Sequence, residues 1–528
     1  MKNCVVTSQL RALHRTVNGA RSGRHARTYL ARACLFATAF HVGMQTAGAR
    51  AQNTLPSPTS DSNAEALPVI DVFAATPLAG LGVDVDKVPA SVTIINAQTI
   101  EQSRSPNIAR SLAQQSSSIS LSEPSGNAFQ PDVEFRGFDA SPVSGTPEGL
   151  AVYQNGVRIN EAFGDTVNWD LIPTVAVRSI DLISNNPAFG LNALGGALSM
   201  QMKDGFGFQG ASIDVMGGSY GRIQSSLQWG RQIDNYAVYS ALEVAHDDGF
   251  RKHSASDIHR FYGDLGYRGG SSELHLNMGV ADNLFGATAA VPIELLQQSW
   301  SNVYTTPQSS RNEVGYLNAT ARVDVSSAWT IQGAAHVRSF GQTTVDGNST
   351  DAEPCDDPTL LCFNGDAPAN GLNGARLSNP FASDAVLGEI DRTRTRTTSV
   401  GATVQATDTE PLFDHPNHFV IGASVDYGIT HFSADSELGT IGPNYVVAGS
   451  GIFLGPSGDP VSDGPVLLRT TNLYNGVYAA DTFDVTDALA VTAGGRFNVA
   501  DIRLEDQVGG ALNGADTFTR FNPMVGAT

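Results

Sequence analysis

The sequence predicts a mainly β protein, in which a small mixed α/β domain precedes an antiparallel β-barrel of the membrane-spanning kind. Three observations carry that expectation. From about Gly207 onward, apolar residues recur at every second position. The alternating segments are joined by connections that are short and long in turn. Only 16% of the residues are charged, against about 25% in an ordinary soluble chain, yet no run approaches 18 apolar residues. A helix cannot cross a bilayer on that composition, whereas a barrel strand can, because only alternate residues face lipid.

The first 51 residues contain eight Lys or Arg and no Asp or Glu. A short apolar run, Ala33–Gly43, and the small residues Ala47, Gly48, Ala49 and Ala51 follow. This reads as a secretory signal with a long basic lead and a mature start at Gln52. A basic amphipathic targeting segment is the other reading. Beyond it the chain holds 24 basic and 52 acidic residues, a net charge of about −28. So acidic a chain lacks the basic footprint that nucleic acid requires.

Residues 52–78 form a polar, proline-bearing linker that ends in an extended apolar stretch, Leu67–Thr76 (LPVIDVFAAT). The mixed α/β domain is expected over 79–206. Ser91–Asn96 is strand-like, Asn96 can cap a short helix, and Ser105-Pro106 can open a second one ending near Gln115. Asn155-Gly156, flanked by Val152, Val157 and Ile159, is a strong hairpin signal. Arg178–Ile183 alternates as a strand with one buried face. Gly190, Gly195 and Gly196 permit turns or close backbone approach.

From 207 to 528 the period is two. Ile223, Leu227 and Trp229 oppose Gln224, Ser226 and Gln228, while Leu274, Leu276 and Met278 oppose Glu273, His275 and Asn277. Connections near 231–235, 269–271, 326–328, 411–417 and 485–488 are short. Those near 247–258, 281–313, 341–392, 432–473 and 502–520 are long. A barrel sorts its loops this way, with turns on one side of the membrane and loops on the other, and a soluble sandwich has no reason to. Tyr236, Phe261, Tyr267, Tyr427 and Tyr474 fit aromatic girdles. About eleven complete strands are expected, with Phe521–Thr528 starting a twelfth.

In order, VEFRGF (Val133–Phe138), AVYQNGVRIN (Ala151–Asn160) and NPAFGLNALGGALSM (Asn186–Met200) make a set that resembles the plug domain of TonB-dependent outer-membrane transporters. The resemblance covers about Leu67 to Thr528. It implies a plug inside a barrel of about twenty-two strands, so this chain is expected to lack half of one. It also implies that Leu67, Pro68, Val69, Ile70, Asp71 and Val72 form the TonB box, which adds a strand to TonB by backbone pairing. An ordinary first strand is the alternative reading of that stretch. Family plugs are locked by Arg–Glu contacts, for which Arg136, Arg178 and Glu243 are the expected partners; surface arginines are the plainer reading. Outward loops of the plug place Phe129, Phe163, Asp165 and Trp169 as ligand contacts, or as packing anchors.

The function implied is active import of a scarce ligand, above all a ferric siderophore, across the outer membrane of a Gram-negative bacterium. The partners are TonB with its inner-membrane energising complex, outer-membrane lipid and the metal chelate, with no cofactor. A passive porin-like or structural barrel, and a non-functional truncated receptor, are the alternatives. No HExxH, Walker or CxxC motif points to an enzyme. His246, His259, Asp247, Asp248 and Asp257 could capture a metal but fit a solvated acidic loop better, and the acidic 346–366 stretch offers only weak Ca²⁺ chemistry. Cys355 and Cys362, an isolated pair in an exported chain, are expected to form a disulfide, since no His lies near to complete a metal site.

Overall fold

The computed structural model describes residues 72–73, 76–78 and 82–528, apart from 106, 185, 288–289, 366, 457–464 and 510. The expected signal segment, residues 52–66 of the linker and Leu67–Asp71 of the expected TonB box lie outside the described residues. Val69–Thr528 forms one unit.

The chain enters through β1 (Val72–Phe73), which pairs antiparallel with β2 (Val83–Asp84). Then β3 (Val92–Asn96) leads into α1 (Ala97–Ser103), capped by the Asn96 side chain on the Thr99 amide at 3.0 Å. The helix stops where Arg104 turns left-handed. The next helix, α2 (Ile108–Gln115), is capped by Asn107 on the Arg110 amide rather than by Ser105. Its start falls two residues later than the Ser-Pro signal suggests, because the Asn107 carboxamide reaches the free amide.

Three strands, β4 (Ile119–Ser122), β5 (Asp132–Phe135) and β6 (Phe138–Ala140), make a small meander. The main plug sheet adds β7 (Leu150–Gln154), β8 (Val157–Arg158), β9 (Val177–Ile183) and β10 (Gly196–Met202), in the order β3-β9-β10-β7-β8. The β7–β8 turn is Asn155-Gly156, with φ +47° and +81°, the pair of positive angles that a type I′ turn needs. A Cβ on Gly156 would also stand 2.7 Å from Leu78 Cδ2, so the Leu78 side chain would have to shift. Val133, Phe135, Leu150, Val152, Trp169, Ile180 and Leu198 fill the core, which runs on into Tyr239 and Tyr262 of the wall.

That wall begins with β11 (Gly210–Gly217), β12 (Ile223–Ile233), β13 (Tyr236–Asp247), β14 (Ser256–Gly269), β15 (Ser272–Gly286), β16 (Gln308–Asp324) and β17 (Trp329–Ser349). Three short strands, β18 (Ala352–Pro354), β19 (Leu361–Phe363) and β20 (Ala367–Pro368), form their own sheet in the next loop. The wall resumes with β21 (Leu387–Asp408) and β22 (Asn417–Ile441), the latter flanked by β23 (Val447–Phe453). It ends with β24 (Val466–Thr486), β25 (Leu489–Asp506) and β26 (Gly514–Ala527). Every pairing in it is antiparallel and joins neighbours along the chain, with β11 and β26 as the edges.

Twelve strands therefore line the wall, as the alternation predicts, and β26 starts at Gly514 rather than Phe521. The strands outrun the expected lengths on the long-loop side. β22 has 25 residues, where about nine to eleven suffice to cross a bilayer. The polar face, including Asn277, Asn283, Asn312, Gln405 and Thr430, is buried against the plug side. The opposite face exposes Leu274, Val280, Leu317, Val404, Val477 and Phe497. Tyr236 and Tyr267 stack at 5.1 Å near the short turns, but Tyr474 points inward and lines a cavity, so it belongs to no girdle.

Above the wall, the long loops build a cap with its own core of Ala352, Leu361, Phe363, Ala369, Leu438 and Leu454. The Cys355–Cys362 disulfide closes one of its loops.

Candidate functional site

The site is the seam between plug and wall, where buried hydrogen bonds and ion pairs cross between small apolar contacts. Asp170 is fully buried on the plug and accepts hydrogen bonds from Asn283 at 2.8 Å, Asn312 at 3.0 Å and Gln130 at 3.4 Å. Burial raises its carboxyl and those amides oppose the rise. Glu161 forms a 2.5 Å ion pair with Arg338 of β17, both nearly out of water. On the short-turn side Lys87 meets Asp484 at 2.5 Å, and Lys203 meets Glu101 at 2.7 Å and Gln228 at 3.1 Å.

The expected Arg136 or Arg178 lock on Glu243 does not form. Glu243 faces inward as expected, but its cation is Arg260 on the neighbouring strand, 3.7 Å away. The two grip plug backbone instead: Arg260 donates to the Ile172 carbonyl at 2.8 Å, and Glu243 accepts from the Thr174 and Val175 amides. Arg136 sits at φ +57° on the meander turn with its guanidinium 6.0 Å from the Phe135 ring. Arg178 pairs with Asp204 at 3.3 Å, half exposed. Arg178 is held by Asp204 and Arg136 lies over the Phe135 ring, while the plug backbone at Ile172, Thr174 and Val175 meets the Glu243–Arg260 pair instead.

Of the expected ligand contacts, two are packing anchors. Phe129 is buried against Ala245, Ile258 and Phe285, with Arg222 5.2 Å over its ring. Trp169 is wholly buried, its indole N–H donating to the Ala140 carbonyl at 3.0 Å. Large aromatic surface next to a plug core gains more from burial than from water, so the outward loop folds its rings in. Asp165 is half-buried and bound by Arg158 and Asn192, each at 2.5 Å. Phe163 is part-exposed and packs on Phe432 with ring centroids 5.3 Å apart, so it stays in reach of the lumen.

The residues that seat the plug (Asp170, Glu161, Arg260 and Arg338) escaped the sequence reading. A signal was present: Arg260 and Arg338 occupy inward positions of strands whose inward face is otherwise mostly neutral. His246 does contact Asp257 at 2.7 Å and Asp248 at 3.1 Å, as salt bridges at a loop base. Among the described residues no group of three or more His, Cys, Asp or Glu could hold a metal ion.

Two polar cavities lie between the β7–β8 hairpin and the wall. One, of about 60 Å³, is lined by Arg158, His336, Asp426, Tyr474 and Arg496, and the other, of about 320 Å³, by Arg178, Asp204, Asp264, Glu273 and His275. Pro77 borders the first and Leu78 the second. Leu78 itself is buried between Val157 and Ala334. Of the residues expected to form the TonB box, only Val72 is described, in β1 opposite Asp84.

Residues 84–197 match the model of the TonB-dependent receptor plug domain. A search of curated proteins finds no match. Among solved structures, the chain is similar to the unliganded ferric citrate transporter FecA, with a TM-score of 0.63 at 10% identity over 84% of this chain and 60% of that one. It is similar to the siderophore receptor PiuA from Acinetobacter baumannii, with a TM-score of 0.62 at 13% identity over 87% and 63%. The ferric-catecholate import receptor Fiu from E. coli K12 gives 0.60 at 14% over 84% and 66%. The chain thus spans a little under two thirds of these receptors. Residues 84–197 thus carry the TonB-dependent receptor plug domain, and the chain shares the fold of these receptors, a plug domain seated against a twelve-stranded antiparallel wall.

Proposed function

We propose that the protein takes part in TonB-dependent import of a scarce ligand, a ferric siderophore or similar metal chelate, across the outer membrane of a Gram-negative bacterium. The observation that carries this reading is the position of Pro77 and Leu78. The segment just after the TonB box stands between two polar cavities on the plug–wall seam. Work applied by TonB to Leu67–Val72 would draw Leu78 from its seat and join the cavities. A seam of hydrogen bonds and ion pairs suits that task, because water can take over each polar contact as it opens. Phe163, beside Phe432 at the plug apex, is the ligand contact this reading retains. No covalent chemistry is needed.

The test is uptake by cells carrying the gene, with Leu67–Thr76 deleted. Surface binding of a ferric chelate is expected to persist while uptake falls to background. Uptake that continues after deletion would place the protein among passive barrels.

A further inference from the structure

One short turn of the wall breaks a local rule that the plug hairpin obeys. Between β21 and β22 the chain reverses at Phe413-Asp414, and Leu412 and His415 exchange both backbone hydrogen bonds, at 2.9 and 3.0 Å. Phe413 has φ +54° and Asp414 φ +67°, the two positive angles of a type I′ turn. The plug meets the same demand with Asn155-Gly156, which take up such angles readily. A phenylalanine there is strained, because its Cβ crowds the following carbonyl oxygen. Its ring is 82% exposed, so packing does not offset the strain, and Leu412 beside it is 44% exposed.

The surroundings of this turn are acidic. Glu410 and Asp414 flank the ring, both exposed. The turn joining β24 to β25 is fastened alongside. The Asp484 amide donates to the Pro416 carbonyl at 3.0 Å, and the His415 and Phe483 rings lie 5.6 Å apart. That second turn adds exposed Val485 and Asp487. Among the described residues Glu410, Asp414 and Asp487 make no ion pair, while Lys87 is held by Asp484 at 2.5 Å and Arg322 by Asp324 at 3.1 Å. The ring also reaches past the apolar band. The β21–β22 ladder closes at Asp408 and Phe419. Phe413 lies five residues beyond Asp408, a reach of up to about 16 Å. A headgroup layer is only about 5–8 Å thick, and its phosphates would be repelled by the carboxylates here.

We infer that Leu412, Phe413 and Val485, rimmed by Glu410, Asp414 and Asp487, dock a cationic segment, bearing an apolar residue, of a soluble periplasmic protein. The exposed ring supplies the apolar anchor. The unpaired carboxylates around it favour basic chains and turn away acidic ones. The tight turn fixes the backbone beneath the ring before a partner arrives, which lessens the ordering cost of binding. This contact is separate from any strand pairing by Leu67–Val72. The inference rests on the outer-membrane reading, which directs the short connections toward the periplasm.

The full chain in detergent micelles is offered fluorescent peptides of alternating lysine and leucine, glutamate and leucine, or lysine and serine, and binding is read by anisotropy. The lysine–leucine peptide is expected to bind the chain, and the other two are not. Phe413→Asn/Asp414→Gly should weaken that binding about tenfold or more. The same variant should melt higher than its parent, because the turn strain is relieved. Glu410→Gln/Asp487→Asn should weaken binding and leave melting unchanged. Binding that survives either variant, equal binding of the glutamate peptide, or equal binding to empty micelles would each overturn the inference. So would a lower melting temperature for Phe413→Asn/Asp414→Gly, which would give the ring a role within the fold. The outer-membrane reading is checked apart from this, with Phe413→Cys in whole cells and a membrane-impermeant maleimide. Labelling is expected only once the outer membrane is permeabilised, and labelling of intact cells would overturn that reading too. Correct labelling without peptide binding would sink the docking surface alone.

Discussion

Glu148 stands on a plug loop with one carboxyl oxygen accepting the Ser141 amide at 2.9 Å and the other buried without a partner. Burial pushes this carboxyl from its usual 4.5 up to about 8, and the nearby Asp165, Asp132 and Asp139 add to the rise. A carboxyl raised on folding stabilises fully below its unfolded value, and that contribution is lost as pH climbs through its folded value. The plug should therefore lose stability between about pH 4.5 and pH 8 on this group's account. Glu148→Gln should flatten that slope and melt higher than the parent above pH 8, measured by thermal unfolding across the range. A parallel slope in the variant would show that Glu148 titrates normally. At the Glu161–Arg338 pair, the two charges are almost dry. Removing one leaves the other buried and unpaired, at about 3–5 kcal/mol. Arg338→Met alone should loosen the plug, seen as faster amide exchange in 159–172, while the Glu161→Leu/Arg338→Met double variant should recover part of the loss. If the double variant exchanges as fast as the single one, the pair is not the cause.

At the scale of elements, the cap over the long-loop side has a small apolar core and a cross-link. The Cys355–Cys362 bridge closes a loop of sequence separation seven. Such a closure contributes about 2–3 kcal/mol in the chain-entropy account. Replacing both cysteines by serine should open residues 350–386 to protease while the wall melts unchanged. An equal fall in wall stability would mean that the cap is part of one cooperative unit. The plug loops show how rings in expected outward turns come to be packing anchors. Phe129 and Trp169 lie in turns by sequence, yet the wall and the plug core cover them. Phe163 escapes because its neighbour Phe432 faces the lumen rather than the plug core.

Across the whole molecule, the two faces of the wall obey opposite rules. Val404 is 54% exposed on the outward face, between Val400 and Ala406. An arginine there should cost about 2–4 kcal/mol of insertion if the site lies near the bilayer midplane. The readout is folding into lipid vesicles followed by mobility on unheated gels, with Val404→Leu as the silent control. An Arg variant that inserts as well as its parent would contradict the assignment of the lipid face.

The sequence alone determined the period of two, the sorting of loops, the Asn155-Gly156 turn and the pairing of the two cysteines. Each follows from local chemistry or from a pattern repeated along the chain. Its ordered glycine-rich segments also carried the plug resemblance. Only the tertiary structure decided which charges meet. Glu243 faces inward by parity alone, yet whether its partner is a plug arginine or Arg260 depends on how the plug is rotated against the wall, and alternation carries no record of that angle. The seating of Leu78 between two cavities is likewise a product of packing between segments far apart in sequence.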